Sequence, residues 1–149
     1  MIQLVRQGKF DLGLAAAGSW DTQGIMNFQV LQSPFLITND ALAEAVASSE
    51  IATRILNSLS PAGVVGLTLW PEDLRHPFSV VPDKPLLTPQ DFVGAQIRTP
   101  SSELSNQVIK ALGARPTTED GGYQGAESGL RQGGMLNGKP IATGNVTFF

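Results

Sequence analysis

Between Thr88 and Glu103 the chain signals a helical turn, a stop, a strand and a second helix, all within one short stretch. Thr88-Pro89-Gln90-Asp91 has a capping-box-like spacing with proline at the first helical position, so a single turn starts there and ends at Gly94. Ala95-Gln96-Ile97 reads as extended, and Pro100 keeps Thr99 out of helical geometry. Ser101 or Ser102 then supplies the N-cap of a helix beginning near Glu103. Arg98 falls at the strand end, facing a loop that leads into helix-terminal amides expected to be free. A guanidinium beside such amides suits a carboxylate, because its planar fork binds both oxygens at once. The competing reading pairs Arg98 with a structural carboxylate.

Strand and helix signals alternate along the rest of the chain, which predicts an α/β fold with ligands gathered beyond the strand C-termini. Gln3 to Gln7 reads as the last turn of a helix closed by Gly8. Residues 10–17 and 64–70 are apolar runs of strand length, the second expected to be buried on both faces. Asn39 or Asp40 caps one helix, and a second after Ser49 carries Ile51, Ile55, Leu56 and Leu59 on one face. Trp20, in the loop after the first predicted strand, offers either a wall for a ligand site or an anchor for the core. Prolines crowd residues 71–89, which suits a crossing between lobes better than a sheet centre, with a strand over residues 78–81. Beyond Gly113 a short strand is predicted at residues 115–118, a glycine-diluted helix at 122–132 and a last strand at 140–147.

Several classes of chemistry are excluded by what is missing. The chain has no cysteine, so disulfide frameworks, zinc thiolate sites and thiol nucleophiles are out. Its one histidine, His76, lies between Arg75 and Pro77 and reads as structural or surface-exposed. No nucleophile elbow, zinc-protease helix or phosphate-binding glycine loop is present. A net charge of −3 with no Lys/Arg cluster argues against nucleic acid as a partner. No run approaches a membrane span, so no direct membrane insertion is expected, and the first residues do not form a secretory signal. Both ends look cut within structured elements.

Taken in order, four segments resemble the solute-binding proteins of tripartite ATP-independent periplasmic (TRAP) transporters, of the dicarboxylate-binding type. "LVRQGKFDLG" (4–13) is similar to the family's approach to a strand, and "LQSPFLITND" (31–40) to its Leu-x-x-Pro-Phe-Leu segment. "LTPQDFVGAQIRTPSS" (87–102) is similar to the Thr-Pro-x-Asp-Leu-x-Gly-x-Lys-Ile-Arg-x-Pro run, and "ALGARPTT" (111–118) to the Ala-Leu-Gly-Ala-x-Pro-Thr that follows it. The resemblance implies a periplasmic-binding-protein-like two-lobe α/β fold, incomplete here, with part of lobe 1 and most of lobe 2. Residues 1–70 would belong to the first lobe, 71–86 to the crossing and 87–149 to the second lobe. The family's first strand and helix, secretion signal and C-terminal helices would lie outside the chain.

The resemblance also implies a function: an extracytoplasmic receptor whose lobes close on a small organic acid and deliver it to the permease subunits in the membrane. The family arginine that grips the ligand carboxylate falls on Arg98, and a second on Arg75 in "LRHPFSVV". The pocket aromatic falls nearest Tyr123, and Asn145 is the choice for the asparagine near the final strand. "DGGYQGAESGLRQG" is longer than the usual connection, and Asn137-Gly138-Lys139-Pro140 replaces the usual Asp-Gly-x-Glu-Asn. No cofactor or metal is implied. The alternatives are a small α/β enzyme acting on a carboxylate, or a non-functional truncated product. For the enzyme, Asp11, Asp91, Glu119, Asp120 and Glu127 are the available acids, and no two form a recognisable catalytic pair.

Overall fold

In a computed structural model of the chain, residues 1–72, 74–79, 84–118, 128–132, 135–136 and 139–140 are described. Helices form where local capping requires them. Helix α1 (Ile2–Arg6) ends through Gly8, whose φ of +67° needs no Cβ to be avoided. Asn39 caps α2 (Asp40–Ala47), its Oδ1 accepting from Leu42 N at 2.9 Å, and Ser49 caps α3 (Glu50–Asn57) through Ala52 N at 3.3 Å. Between α1 and α2, Ala17–Gln23 and Met26–Gln32 form 3₁₀ helices.

Strand β1 spans Arg75–Ser79, starting earlier than the sequence pattern predicts. Helix α4 (Pro89–Phe92) is the expected single turn, and it leads into β2 (Gln96–Arg98). Helix α5 (Glu103–Ala111) and β3 (Arg115–Thr117) follow, then β4 (Ser128–Gln132) and a small hairpin of β5 (Met135–Leu136) with β6 (Lys139–Pro140). The main sheet has the order β1-β4-β2-β3. β2 runs parallel to both β3 and β4, and β1 closes the edge antiparallel to β4. One core gathers Leu86, Phe92, Ile97, Ile109 and Ala114 around this sheet. A second gathers Trp20, Phe28, Ile55, Leu59 and Ala62.

Three expectations are corrected. Residues 128–132, expected as the end of a weak helix, form β4, because pairing with β1 on one side and β2 on the other outweighs local preference. Residues 122–127 lie outside the described residues, as do residues 141–147 of the expected last strand. The runs at 10–17 and 64–70 form no strand: neither has a ladder partner among the described residues. Each run is partly packed and partly exposed. Ala15, Ala17, Val64 and Leu69 pack on the second core, while Leu12, Leu14, Val65 and Leu67 are 70%, 73%, 84% and 71% exposed. Burial on both faces, expected for 64–70, is therefore absent.

The turn at α4 carries a pH signature. Asp91 Oδ2 accepts from Thr88 N at 2.7 Å, from Thr88 Oγ1 at 3.0 Å and from Leu87 N at 3.0 Å. The Thr88 N–H, then its hydroxyl and the Leu87 N–H, hold the Asp91 carboxyl below the usual carboxylate range. A depressed folded-state value means this cap stabilises fully above the unfolded pKa and fades as pH falls through the folded one. Asp91→Asn is therefore expected to lower Tm slightly at pH 6. The deficit should close as the pH is taken below about 4, where unfolded aspartate is protonated. Thermal melts of both proteins across that range check it, and a deficit independent of pH would contradict the assignment.

Candidate functional site

The strand-to-helix switch holds the site's central side chain. Ile97 points into the first core, so the next residue, Arg98, turns the other way at the C-terminal end of β2. Arg98 is half-buried, and its Nε is shielded from solvent with no hydrogen-bond partner among the described residues. The turn beyond it is anchored at both ends, through Thr99 and Ser102. Thr99 N donates to Thr117 O at 2.9 Å, and Thr99 Oγ1 donates to Asn106 Oδ1 at 2.9 Å. Ser102 is the N-cap, its Oγ accepting from Ser105 N at 3.3 Å.

The helix-terminal amides beside Arg98 are not free, which corrects the sequence expectation. Asp21 Oδ2, from the 3₁₀ segment Ala17–Gln23, accepts from Glu103 N at 2.8 Å and Leu104 N at 3.2 Å. It also accepts from Ser102 Oγ at 2.9 Å. The intrinsic anion site of α5 is thus filled by a carboxylate of the chain itself. The two elements touch closely here: a Cβ added at Gly18 would lie 2.7 Å from Ser102 Cβ and would run into Gln32 Oε1. Asp21 is buried, and its second oxygen, Oδ1, has no partner among the described residues. Local sequence carries no sign of this contact, because Asp21 lies 81 residues from Ser102.

Trp20 is a core residue. Its ring is buried and stacks on Phe28, centroids 5.8 Å apart at 29°, inside the second core. It also borders a groove of about 1220 Å³ running between the extended segments 11–17 and 63–71. Arg75 and Gln32 border the same groove, whereas Arg98 does not. The sheet still relates the two arginines. Arg98 pairs with Gly129 and Arg75 with Gln132, so both lie toward the same end of the sheet, about 10 Å apart along the strand direction but on opposite faces. Tyr123 and Asn145 lie outside the described residues. Among the described residues no cluster of three or more His, Asp or Glu could hold a metal, and no helix is long and apolar enough to cross a membrane.

The sheet, parallel at its centre and with an arginine at a strand end, is shared with part of solved two-lobe α/β periplasmic binding proteins. A TRAP periplasmic solute-binding protein from Xanthobacter autotrophicus Py2, solved with bound β-D-galacturonate, superposes with a TM-score of 0.76 at 25% identity, over 87% of this chain and 45% of that one. A TRAP periplasmic solute-binding protein from Sulfurospirillum deleyianum, solved with bound succinate, gives 0.78 at 22% identity, over 88% and 44%. The chain belongs to the bacterial extracellular solute-binding proteins, family 7, whose pattern matches residues 1–122. The C4-dicarboxylate-binding periplasmic protein DctP of Rhodobacter capsulatus is 28% identical over 93 residues, 62% of this chain and 27% of that protein. The chain thus spans about a quarter of that relative and under half of the solved structures.

Proposed function

We propose that the chain is the carboxylate-gripping part of a TRAP-type solute receptor, binding a small organic acid outside the cytoplasm and delivering it to membrane permease subunits. Residues 1–70 and 87–149 contribute to two lobes, and 71–86 form the crossing. The observation that carries this reading is Arg98 Nε, a shielded donor with no acceptor among the described residues. Leaving such a donor unmade costs about 1–3 kcal/mol, which a ligand carboxylate would recover through the guanidinium fork. Arg75 borders the groove on the opposite face of the sheet from Arg98, so it adds positive charge to the field an approaching anion meets and does not share Arg98's contact. Ligand contacts made only when the lobes close would favour the closed state, the form offered to a permease. Relatives with succinate or galacturonate bound support the ligand class, since both are carboxylates. Family membership among solute-binding proteins sets the enzyme alternative aside.

The test is a thermal-shift screen with succinate, L-malate and D-galacturonate against their neutral amide or alcohol counterparts. A ligand at a hundred times its Kd stabilises by about 2.7 kcal/mol, or about 5–10 °C for a protein of this size. Carboxylates are expected to raise Tm by that amount and the neutral counterparts to leave it unchanged. Equal shifts from both, or shifts from neither, overturn the reading.

A further inference from the structure

We infer that Asp21 is a positioning residue for Arg98, a tie that sets the geometry of the carboxylate site from a segment distant in sequence. This rests on the receptor reading above. Only four residues, Thr99 to Ser102, separate Arg98 from the first turn of α5. Asp21 Oδ2 takes three hydrogen bonds from the far end of that turn, one from the Ser102 hydroxyl and two from the Glu103 and Leu104 amides. Three hydrogen bonds converging on one oxygen tie the segment to the start of the helix. The acceptor and one of its three donors are shielded: Asp21 and Ser102 are buried.

The same short segment connects to the groove. Trp20, the neighbour of Asp21, is fixed in the second core and borders the groove, while Gly18 lets the segment approach Ser102 without a Cβ between them. A shift of this segment therefore moves the start of α5, and with it the turn that leaves Arg98. Asp21 also occupies the helix-terminal anion site with its own charge. A ligand carboxylate is left with Arg98 and not with the helix amides, which fixes where the acid group sits.

A double-mutant cycle tests this by isothermal titration, using whichever of succinate, L-malate and D-galacturonate gives the largest thermal shift. Asp21→Ala is expected to weaken binding at least tenfold. Asp21→Asn, which keeps an amide oxygen to accept from the helix, should bind within threefold of the parent. In an Arg98→Lys background, where the fork is already lost, Asp21→Ala should cost less than threefold. The same loss in both backgrounds would mark a general structural defect and overturn the inference, as would parental binding by Asp21→Ala. A tenfold loss in Asp21→Asn overturns it too, because charge and not the tether would then matter. If Asp21→Ala does not fold, Asp21→Glu, which displaces the carboxylate by one methylene, replaces it in the same cycle with the same readings. Parental binding by Arg98→Lys alone refutes the receptor reading at Arg98 and removes the inference with it.

Discussion

Arg98→Ala should reduce carboxylate affinity by about 30-fold to several thousand-fold while leaving the ligand-free protein as stable as the parent. The range is what truncating one partner of a hydrogen-bonded, shielded charge pair costs, about 2–5 kcal/mol at about 1.4 kcal/mol per tenfold. The unchanged stability follows from the ligand-free geometry. Nε of Arg98 is shielded and unpartnered among the described residues, so its removal breaks no bond to Nε there and relieves one unmet donor. Arg98→Lys should lose most of the affinity as well, because an ammonium cannot present two parallel N–H donors. Titration calorimetry gives the affinities and ligand-free melts give the stabilities. A ligand-free Tm lowered by more than about 5 °C would mean that Arg98 holds the fold together, the structural reading of this residue.

The features that sequence reading captured are those whose partners lie within a few residues. Asn39, Ser49 and Ser102 each cap the helix that begins immediately after them, and Asp91 binds back to Thr88. Gly8 and Gly113 stop helices through positive φ values of 67° and 81°. The strand that presents Arg98 was legible for the same reason: Gly94 and Pro100 bracket it. What was not legible depends on distant partners. Residues 10–17 and 64–70 have the composition of strands, but a strand is a pairing, and composition does not say what lies alongside. Residues 128–132 show the converse, since a glycine-diluted segment became a central strand once β1 and β2 flanked it. A local signal was available for β5 and β6: Asn137-Gly138 stands between them in sequence, a dipeptide favoured in tight hairpins.

The site divides along the same line. Arg98 could be placed at a strand end from its neighbours alone, but the occupant of the adjacent helix terminus could not. Ser102 announces a cap, and nothing in residues 99–106 announces that Asp21 adds a second one from across the chain. Trp20 was read as either ligand wall or core anchor, and it is a core residue whose edge reaches the groove. The two readings competed only because one residue's surroundings cannot be inferred from its own segment.

Ile97→Ala should do the reverse of Arg98→Ala, destabilising the protein by about 2–5 kcal/mol with little change in the intrinsic affinity of the molecules that remain folded. Ile97 has no solvent exposure and packs with Leu86, Phe92, Ile109 and Ala114, which come from both sides of β2 in sequence. Removing its outer carbons leaves a cavity that α4 and α5 cannot close without breaking their caps on Thr88 and Ser102. The loss is a large share of a typical domain's total of about 5–15 kcal/mol and should lower Tm by about 4–20 °C. Ile97→Val, which removes a single methylene, should cost only about 0.5–1.5 kcal/mol. Denaturant titration of all three proteins, at equal slope, measures the series. A loss below about 1 kcal/mol for Ile97→Ala would mean the strand is not held from its inner face. With that result, the alternation that turns Arg98 away from the core would lose its foundation, since Arg98 is oriented only because its neighbour is buried.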